Sequence, residues 1–173
     1  PADRESGFRQ AGIETYHGPA RFLDRTAVRV SDDVLRGRHM VIASGAKPKS
    51  LPIQGAEHLI TSEQFLELDV LPERIAFVGG GYIAFEFAHI SARAGAKRII
   101  LQSGHKVLTG FEPELVDQLV EVTRSIGVEV RTNAPVTRIK KTESGFCVHV
   151  GRDGKDSAID CDLVVHAAGR VAD

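Results

Sequence analysis

From Glu73 onward the chain alternates between two apolar periods. Arg74-Ile-Ala-Phe-Val78 is a short, nearly continuous apolar run that ends in glycines, which predicts a buried strand. Ala84, Ala88, Ser91 and Gly95 then recur at helical spacing, with Ile83, Phe87 and Ile90 beside them. This predicts a helix over 81–94 with its small-residue side laid on a sheet. A second strand is expected over 98–102, and a second helix from Glu112-Pro113. Leu115, Leu119, Val122 and Ile126 follow at i, i+4, i+7 and i+11 as its expected packed face; Pro113 suits its first turn and Gly127 its stop. With a third strand at 128–131, the order is βαβαβ: a right-handed parallel, Rossmann-like unit of an α/β fold.

Past Pro135 the alternation has period two. Strands are expected at 136–139, 146–150 and 158–160, with Asp153-Gly154 as a hairpin turn, so this crossover is a β-meander in place of a helix. The run 162–167 is almost wholly apolar, as in a buried parallel strand, and leads into Ala168-Gly169-Arg170 at the carboxyl edge of the sheet. Before the unit, residues 1–58 read as short β segments at 13–16, 26–30 and 40–43, separated by Gly18-Pro19 and Ser31-Asp32-Asp33. Lys47-Pro48, Leu51-Pro52 and Gly55 form a loop-like crossing. Thr61-Ser62-Glu63 opens a short helical turn that ends before Leu71-Pro72. A domain boundary is expected in the Pro/Gly stretch, dividing the chain into 1–58 and 59–173.

The strand-to-helix junction carries the candidate chemistry. In Gly79-x-Gly81-x-x-Ala84, Gly79 lets the chain leave the strand sharply and Gly81 leaves room for a pyrophosphate, while Ala84 lets helix and strand pack closely. The helix N-terminus offers unpaired N–H groups and partial positive charge to phosphates. A glycine turn can also serve only to join strand to helix; the strand-turn-helix context separates the two readings.

At 173 residues and 42% hydrophobic content the chain can bury a core as one domain, or one domain plus a piece of another. The net charge of -1, without a Lys/Arg block, argues against a nucleic-acid footprint, and no apolar run approaches membrane-spanning length. Cys147 and Cys161 lack redox spacing and read as free structural thiols of a reducing, cytoplasmic compartment. The seven histidines form no ligand motif, so no metal is expected. The chain opens with Pro1 and not Met, so its natural N-terminus is expected to lie upstream.

These residues together resemble the flavin-dependent pyridine nucleotide-disulfide oxidoreductases, in particular the glutathione-reductase-like branch. The resemblance runs through Ile53-Gln-Gly55-Ala, Ile60-Thr-Ser62 with Phe65 and Leu66, Leu71-Pro72, the glycine turn through Glu86, and Lys106-Val107-Leu108 with Phe111. Ala43-Ser44-Gly45 resembles the family's Ala-Thr-Gly turn against the flavin, and Ala168-Gly169-Arg170 the second such turn, at the seam between the two nucleotide domains. The resemblance implies that Tyr82 gates the flavin until nicotinamide displaces it. It implies that Glu86, one helical turn on, pairs with a lysine near the redox cysteines, which this sequence does not contain.

The family's N-terminal FAD-binding glycine turn, its Cys-x4-Cys pair and its C-terminal His-Glu pair are not in this sequence either. The chain therefore resembles a middle section: the end of an FAD domain, residues 1–58, followed by an NAD(P)-binding domain. The resemblance implies a homodimeric parent that acts on a small-molecule disulfide. The fragment alone is expected to be inactive.

Cofactor choice turns on the end of the second strand. NAD-binding members place an acid there for the ribose 2′-OH and NADP-binding members an Arg for the 2′-phosphate. This chain has Gln102-Ser103, followed by His105 and Lys106, which favours NADP over NAD without the bidentate fork of an arginine. The alternatives are a sister enzyme acting on dihydrolipoamide, mercuric ion, a peroxide or a quinone, and a dinucleotide-binding module without catalysis.

Overall fold

The computed structural model describes residues 2–152 and 155–173. The expected Asp153-Gly154 turn lies outside them. The chain divides into two compact units, Pro1–Ser44 and Gly45–Asp173.

The first unit opens with α1 (Ala2–Gln10), a helix on which the sequence reading placed nothing; its i,i+4 pair Glu5–Arg9 closes at 2.7 Å. An antiparallel meander follows: β1 (Ala20–Asp24), β2 (Ala27–Val30) and β3 (Asp33–Arg36). The Asp24 carboxylate accepts the Thr26 N–H at 2.7 Å and fixes the first turn. Residues 13–16 and 40–43, expected as strands, are in none. The reason is exposure: β1 is solvent-exposed along its whole length and so carries no apolar alternation to read, whereas Val41 and Ile42 are apolar yet join no ladder.

The second unit begins with β4 (Ala46–Pro48), which pairs antiparallel with the last strand, β12 (Arg170–Ala172). A 3-10 turn at Ala56–His58 and the helix α2 (Ser62–Leu66) come next. Thr61 caps α2 in a reciprocal box with Gln64, and Phe65 stacks on Phe87 with ring centroids 4.5 Å apart. The Pro/Gly crossing of residues 45–58 thus packs within the second unit: Ile139 N–H donates to the Gln54 carbonyl, and the His166 ring binds that of Lys49.

The expected βαβαβ unit is present as β5 (Arg74–Val78), α3 (Tyr82–Arg93), β6 (Lys97–Leu101), α4 (Pro113–Ser125) and β7 (Val128–Arg131). The meander follows as β8 (Val136–Thr142), β9 (Gly145–Arg152) and β10 (Lys155–Cys161). β11 (Leu163–His166) then returns beside β5, giving a parallel sheet of order β11-β5-β6-β7. Both faces of that sheet are covered, which explains its unbroken apolar runs. Ile75, Phe77, Ile100 and Val165 pack toward the helices, while Ala76, Ile99, Leu101 and Val164 pack with Ile139, Val148 and Cys161 of the meander.

On α3 the small stripe Ala84, Ala88 and Ser91 is fully buried as expected, whereas Ile90 is exposed. On α4 the expected face is the wrong one. Leu115, Leu119, Val122 and Ile126 are 64, 37, 54 and 39% exposed, and Val116 and Thr123 are buried. The same spacing runs through 116, 120, 123 and 127, but Thr123 and Gly127 make that stripe look polar. Thr123 is accommodated because its hydroxyl meets the Leu119 carbonyl at 2.6 Å and the His89 ring of α3 at 2.8 Å. Among the described residues no helix is long and apolar enough to cross a membrane.

Candidate nucleotide site

The carboxyl edge of the parallel sheet opens into a cavity of about 630 Å³. Its centre is the glycine turn, where each glycine has a separate physical reason. Gly79 has φ +111, and a Cβ there would stand 2.3 Å from the Ala167 carbonyl oxygen. Gly81 caps α3 in extended conformation, φ -87; a Cβ there would meet nothing closer than that oxygen at 3.5 Å, so open space lies before it. Gly80, which the sequence reading left unassigned, is packed under Val107 and Gln102.

The first intrahelical bond of α3 runs from Phe85 N–H to the Gly81 carbonyl. The N–H groups of Tyr82, Ile83 and Ala84 are therefore left without intrahelical acceptors beside the cavity, and no acidic residue sits in the first turn to occupy them.

Of the residues expected at the site, Gly79, Gly81, Tyr82, Ile83, Gln102, Ser103, Ala168, Gly169 and Arg170 line this one cavity. Ala84 is fully buried and serves the packing of helix on sheet. His105 and Lys106 are exposed on the same loop as Ser103 but off the cavity wall. Glu86 faces a neighbouring groove of about 300 Å³ that it shares with Tyr82, Phe85, Leu108, Phe111 and Leu115, so Tyr82 and Glu86 do share a face. Gly45, φ +89, accepts the Asp173 N–H and is also off the wall; Ser44 belongs to the other unit.

Wall residues that the sequence reading missed include Leu51, Ile53, Thr109, Pro135 and Val136. Leu51, Thr109 and Pro135 come from connections read only as loop or boundary; Ile53 entered only through the family resemblance, and Val136 only as the start of a strand.

The second small-residue turn is braced from behind. The buried His166 donates from Nε2 to the Lys49 carbonyl at 2.7 Å, and Lys49 N–H donates to the Gly169 carbonyl at 3.0 Å. Arg170 donates to the Glu63 carboxylate at 2.7 Å, to the Ser62 hydroxyl at 3.3 Å and to the Ala46 carbonyl. Its guanidinium thus ties the turn to the start of α2. The Glu63 carboxyl is held down at about 2 by its own backbone N–H, then by Thr61, Ser62 and Arg170, so it stays ionised for Arg170.

Among the described residues no carboxylate lines the cavity. A concave site with orphan N–H groups and no anion of its own suits a ligand with a pyrophosphate. The thiols stand apart from it: burial pushes Cys161 up to about 12 and also raises Cys147, which disfavours the thiolate at both.

Comparison with known proteins places the chain in a family. The chain is 34% identical over 161 residues to glutathione reductase of Burkholderia cepacia, covering 93% of this chain and 35% of that protein. It is 30% identical over 167 residues to dihydrolipoyl dehydrogenase of Mycoplasma pneumoniae, covering 93% of this chain and 36% of the relative. The chain therefore spans about a third of the length of these curated relatives. Among solved structures, the HOCl-induced flavoprotein disulfide reductase RclA of Escherichia coli superposes with a TM-score of 0.72 at 29% identity, over 96% of this chain and 39% of that one. The family described as pyridine nucleotide-disulphide oxidoreductase matches residues 4–173, and this chain belongs to it.

Proposed function

We propose that the chain is the NAD(P)-binding portion, with the end of the FAD domain, of a flavoenzyme that passes hydride from NADPH through FAD to a small-molecule disulfide. In this reading residues 1–58 derive from the FAD domain and 59–173 form the NAD(P) domain of a cytoplasmic, homodimeric parent. The observation that carries it is the carboxylate-free cavity in which the glycine turn, the orphan N–H groups of α3 and the Ala167–Gly169 turn converge.

When bound, the nicotinamide supplies the hydride and the flavin relays it; the protein supplies binding, orientation and electrostatics. The N–H groups of Tyr82, Ile83 and Ala84 would hold the pyrophosphate, with Gly81 leaving room for it and Gly79 keeping the turn tight. Tyr82, 53% exposed at the rim shared by cavity and groove, would cover or uncover the reacting ring. Glu86, exposed on the same face, sets the local charge there. By the family resemblance Ser44 and Gly45 would meet the flavin, as would the Ala168–Gly169 turn that the engaged Arg170 holds.

At the ribose end, Gln102 replaces the acid that would favour NAD, and Ser103, His105 and Lys106 are left to meet a 2′-phosphate. The dihydrolipoyl-dehydrogenase-like reading with NAD lacks the acid it calls for at position 102.

Calorimetric titration of the 173-residue chain with NADPH and NADH tests the reading. Both are expected to bind, with NADPH modestly tighter. Absence of binding by either nucleotide would overturn the site, and tighter NADH would overturn the choice of cofactor.

A further inference from the structure

Gln102 stands where the family's cofactor-reading side chain is expected, yet its amide is already used inside the protein. Its Oε1 accepts the Gly80 N–H at 2.9 Å, and its Nε2 donates to the Lys106 carbonyl at 3.0 Å. The orientation of the amide is forced, since a backbone N–H can only donate and a carbonyl can only accept. A carboxylate would meet the first need and fail the second; a lysine or arginine would do the reverse. Gly80 is shaped to this arrangement, because a Cβ on it would stand 3.0 Å from Gln102 Cβ and 2.7 Å from Val107 Cγ1.

The backbone closes the same junction. Gly80 C=O accepts Leu108 N–H at 2.9 Å, Gln102 N–H donates to Arg131 and Gln102 C=O accepts Ala134 N–H. Asn133 N–H donates to Gly104 C=O. The loop between β6 and α4 is thus fastened to the glycine turn on one side and to the end of β7 on the other, with the Gln102 amide as its side-chain rivet. Ser103, His105 and Lys106 remain exposed on that loop.

We infer that Gln102 is a positioning residue that clamps the ribose-side loop to the glycine turn, and that discrimination between a 2′-hydroxyl and a 2′-phosphate lies in Ser103, His105 and Lys106 instead. The inference rests on the nucleotide site proposed above. It separates two jobs that a strand-end acid or arginine combines: here shape comes from the strand end and selectivity from the loop it holds.

The test uses the 173-residue chain, its Gln102→Met variant, which keeps length without either hydrogen bond, and its Gln102→Glu variant. Ligand-free amide exchange at Gly80 is read by NMR, and NADPH and NADH are titrated separately. In Gln102→Met, Gly80 exchange is expected to rise about tenfold and both affinities to fall together, by about five- to tenfold for two lost bonds, with their ratio kept within about twofold. Gln102→Glu is expected to lose stability at pH 7.5, because its second oxygen faces the Lys106 carbonyl, and to lose NADPH affinity more than NADH affinity, because its charge repels a 2′-phosphate. Its deficit in thermal midpoint relative to wild type closes on acidification, when the protonated carboxyl regains a donor.

A ratio changed more than about fivefold in Gln102→Met, roughly 1 kcal/mol, would show that Gln102 itself reads the ribose. Unchanged Gly80 exchange, or a lowered thermal midpoint with both affinities intact, would overturn the clamp as a determinant of the site. If wild type binds neither nucleotide, the nucleotide reading falls and takes the selectivity claim with it, while Gly80 exchange still decides the clamp.

Discussion

The carbonyl of Ala167 lies where the side chain of any residue but glycine at position 79 would have to begin: the two atoms would stand 2.3 Å apart. The contact joins the end of β5 to the end of β11, and Ala167 N–H donates to the Val78 carbonyl at 2.8 Å just below it. Two strands far apart in sequence thus present their terminal turns as one surface, and that surface is the centre of the cavity.

Gly79 and Gly81 should therefore fail in different ways. Gly79→Ala combines a backbone clash with φ +111 and is expected to cost about 2–4 kcal/mol of stability. Gly81→Val has room for its first carbon and an allowed φ, so its stability should stay within about 1 kcal/mol of wild type. Its side chain fills the space assigned to the pyrophosphate, so nucleotide affinity should fall tenfold or more, about 1.4 kcal/mol. Thermal melts and calorimetry of the two variants check both arms; unchanged binding in folded Gly81→Val would reduce the turn to a connector.

Selectivity at the ribose end should be weak and sensitive to salt. Ser103, His105 and Lys106 are exposed, so their attraction for a 2′-phosphate is screened over about 8 Å at physiological ionic strength. Ser103→Arg supplies a planar, bidentate donor and should sharpen the NADPH preference by about 1–2 kcal/mol, roughly five- to thirtyfold. Titrations of both nucleotides at low and high salt measure it, and no gain for NADPH in the variant would misplace the ribose loop.

The opposite end of the sheet should govern acid stability. Arg74 at the start of β5 grips Asp162 with its Nε at 3.1 Å, its Nη2 at 2.5 Å and its backbone N–H at 2.9 Å. These bonds, the side-chain pair first, lower the Asp162 pKa. A carboxyl depressed in the folded state contributes fully above its unfolded value of about 3.9, and the contribution fades as pH falls through the lower folded value. Melting curves against pH should show Asp162→Asn less stable than wild type by a constant margin above about pH 5, narrowing below about pH 4. A margin independent of pH would exclude the charged pair as its source.

Thiol labelling at neutral pH should find Cys161 inert in the native chain and reactive only after unfolding, since burial holds its thiol up at about 12. Cys147 is half-buried, and its thiol is raised by the same effect and by Asp160, so it should label slowly. Rapid native labelling of Cys161 would contradict its place between sheet and meander.

What the sequence determined by itself is whatever depends on neighbours within about a turn or a strand. Short apolar runs against period 3.6 located β5 to β7 and the two helices between them, and Gly79-x-Gly81-x-x-Ala84 marked a junction suited to a pyrophosphate. The near-continuous apolar run at β11 showed a strand buried on both faces before its partner was known. Exposed β1 gave no such signal, because a strand with no buried face has nothing to alternate.

Tertiary structure decided the rest, because it rests on which distant segments meet. Two stripes of α4 have the same spacing, and only the sheet and His89 select the one with Thr123. Leu51, Ile53 and Pro135 became cavity wall by the packing of connections that carry no period of their own, and Val136 by the way β8 leaves the sheet. Gln102 and Arg170 could be named in advance as site residues, yet what their polar atoms do was set by the carbonyls, carboxylate and N–H that the fold brought within hydrogen-bonding distance. A buried or bridging polar group takes the partner within reach, and reach belongs to the folded chain.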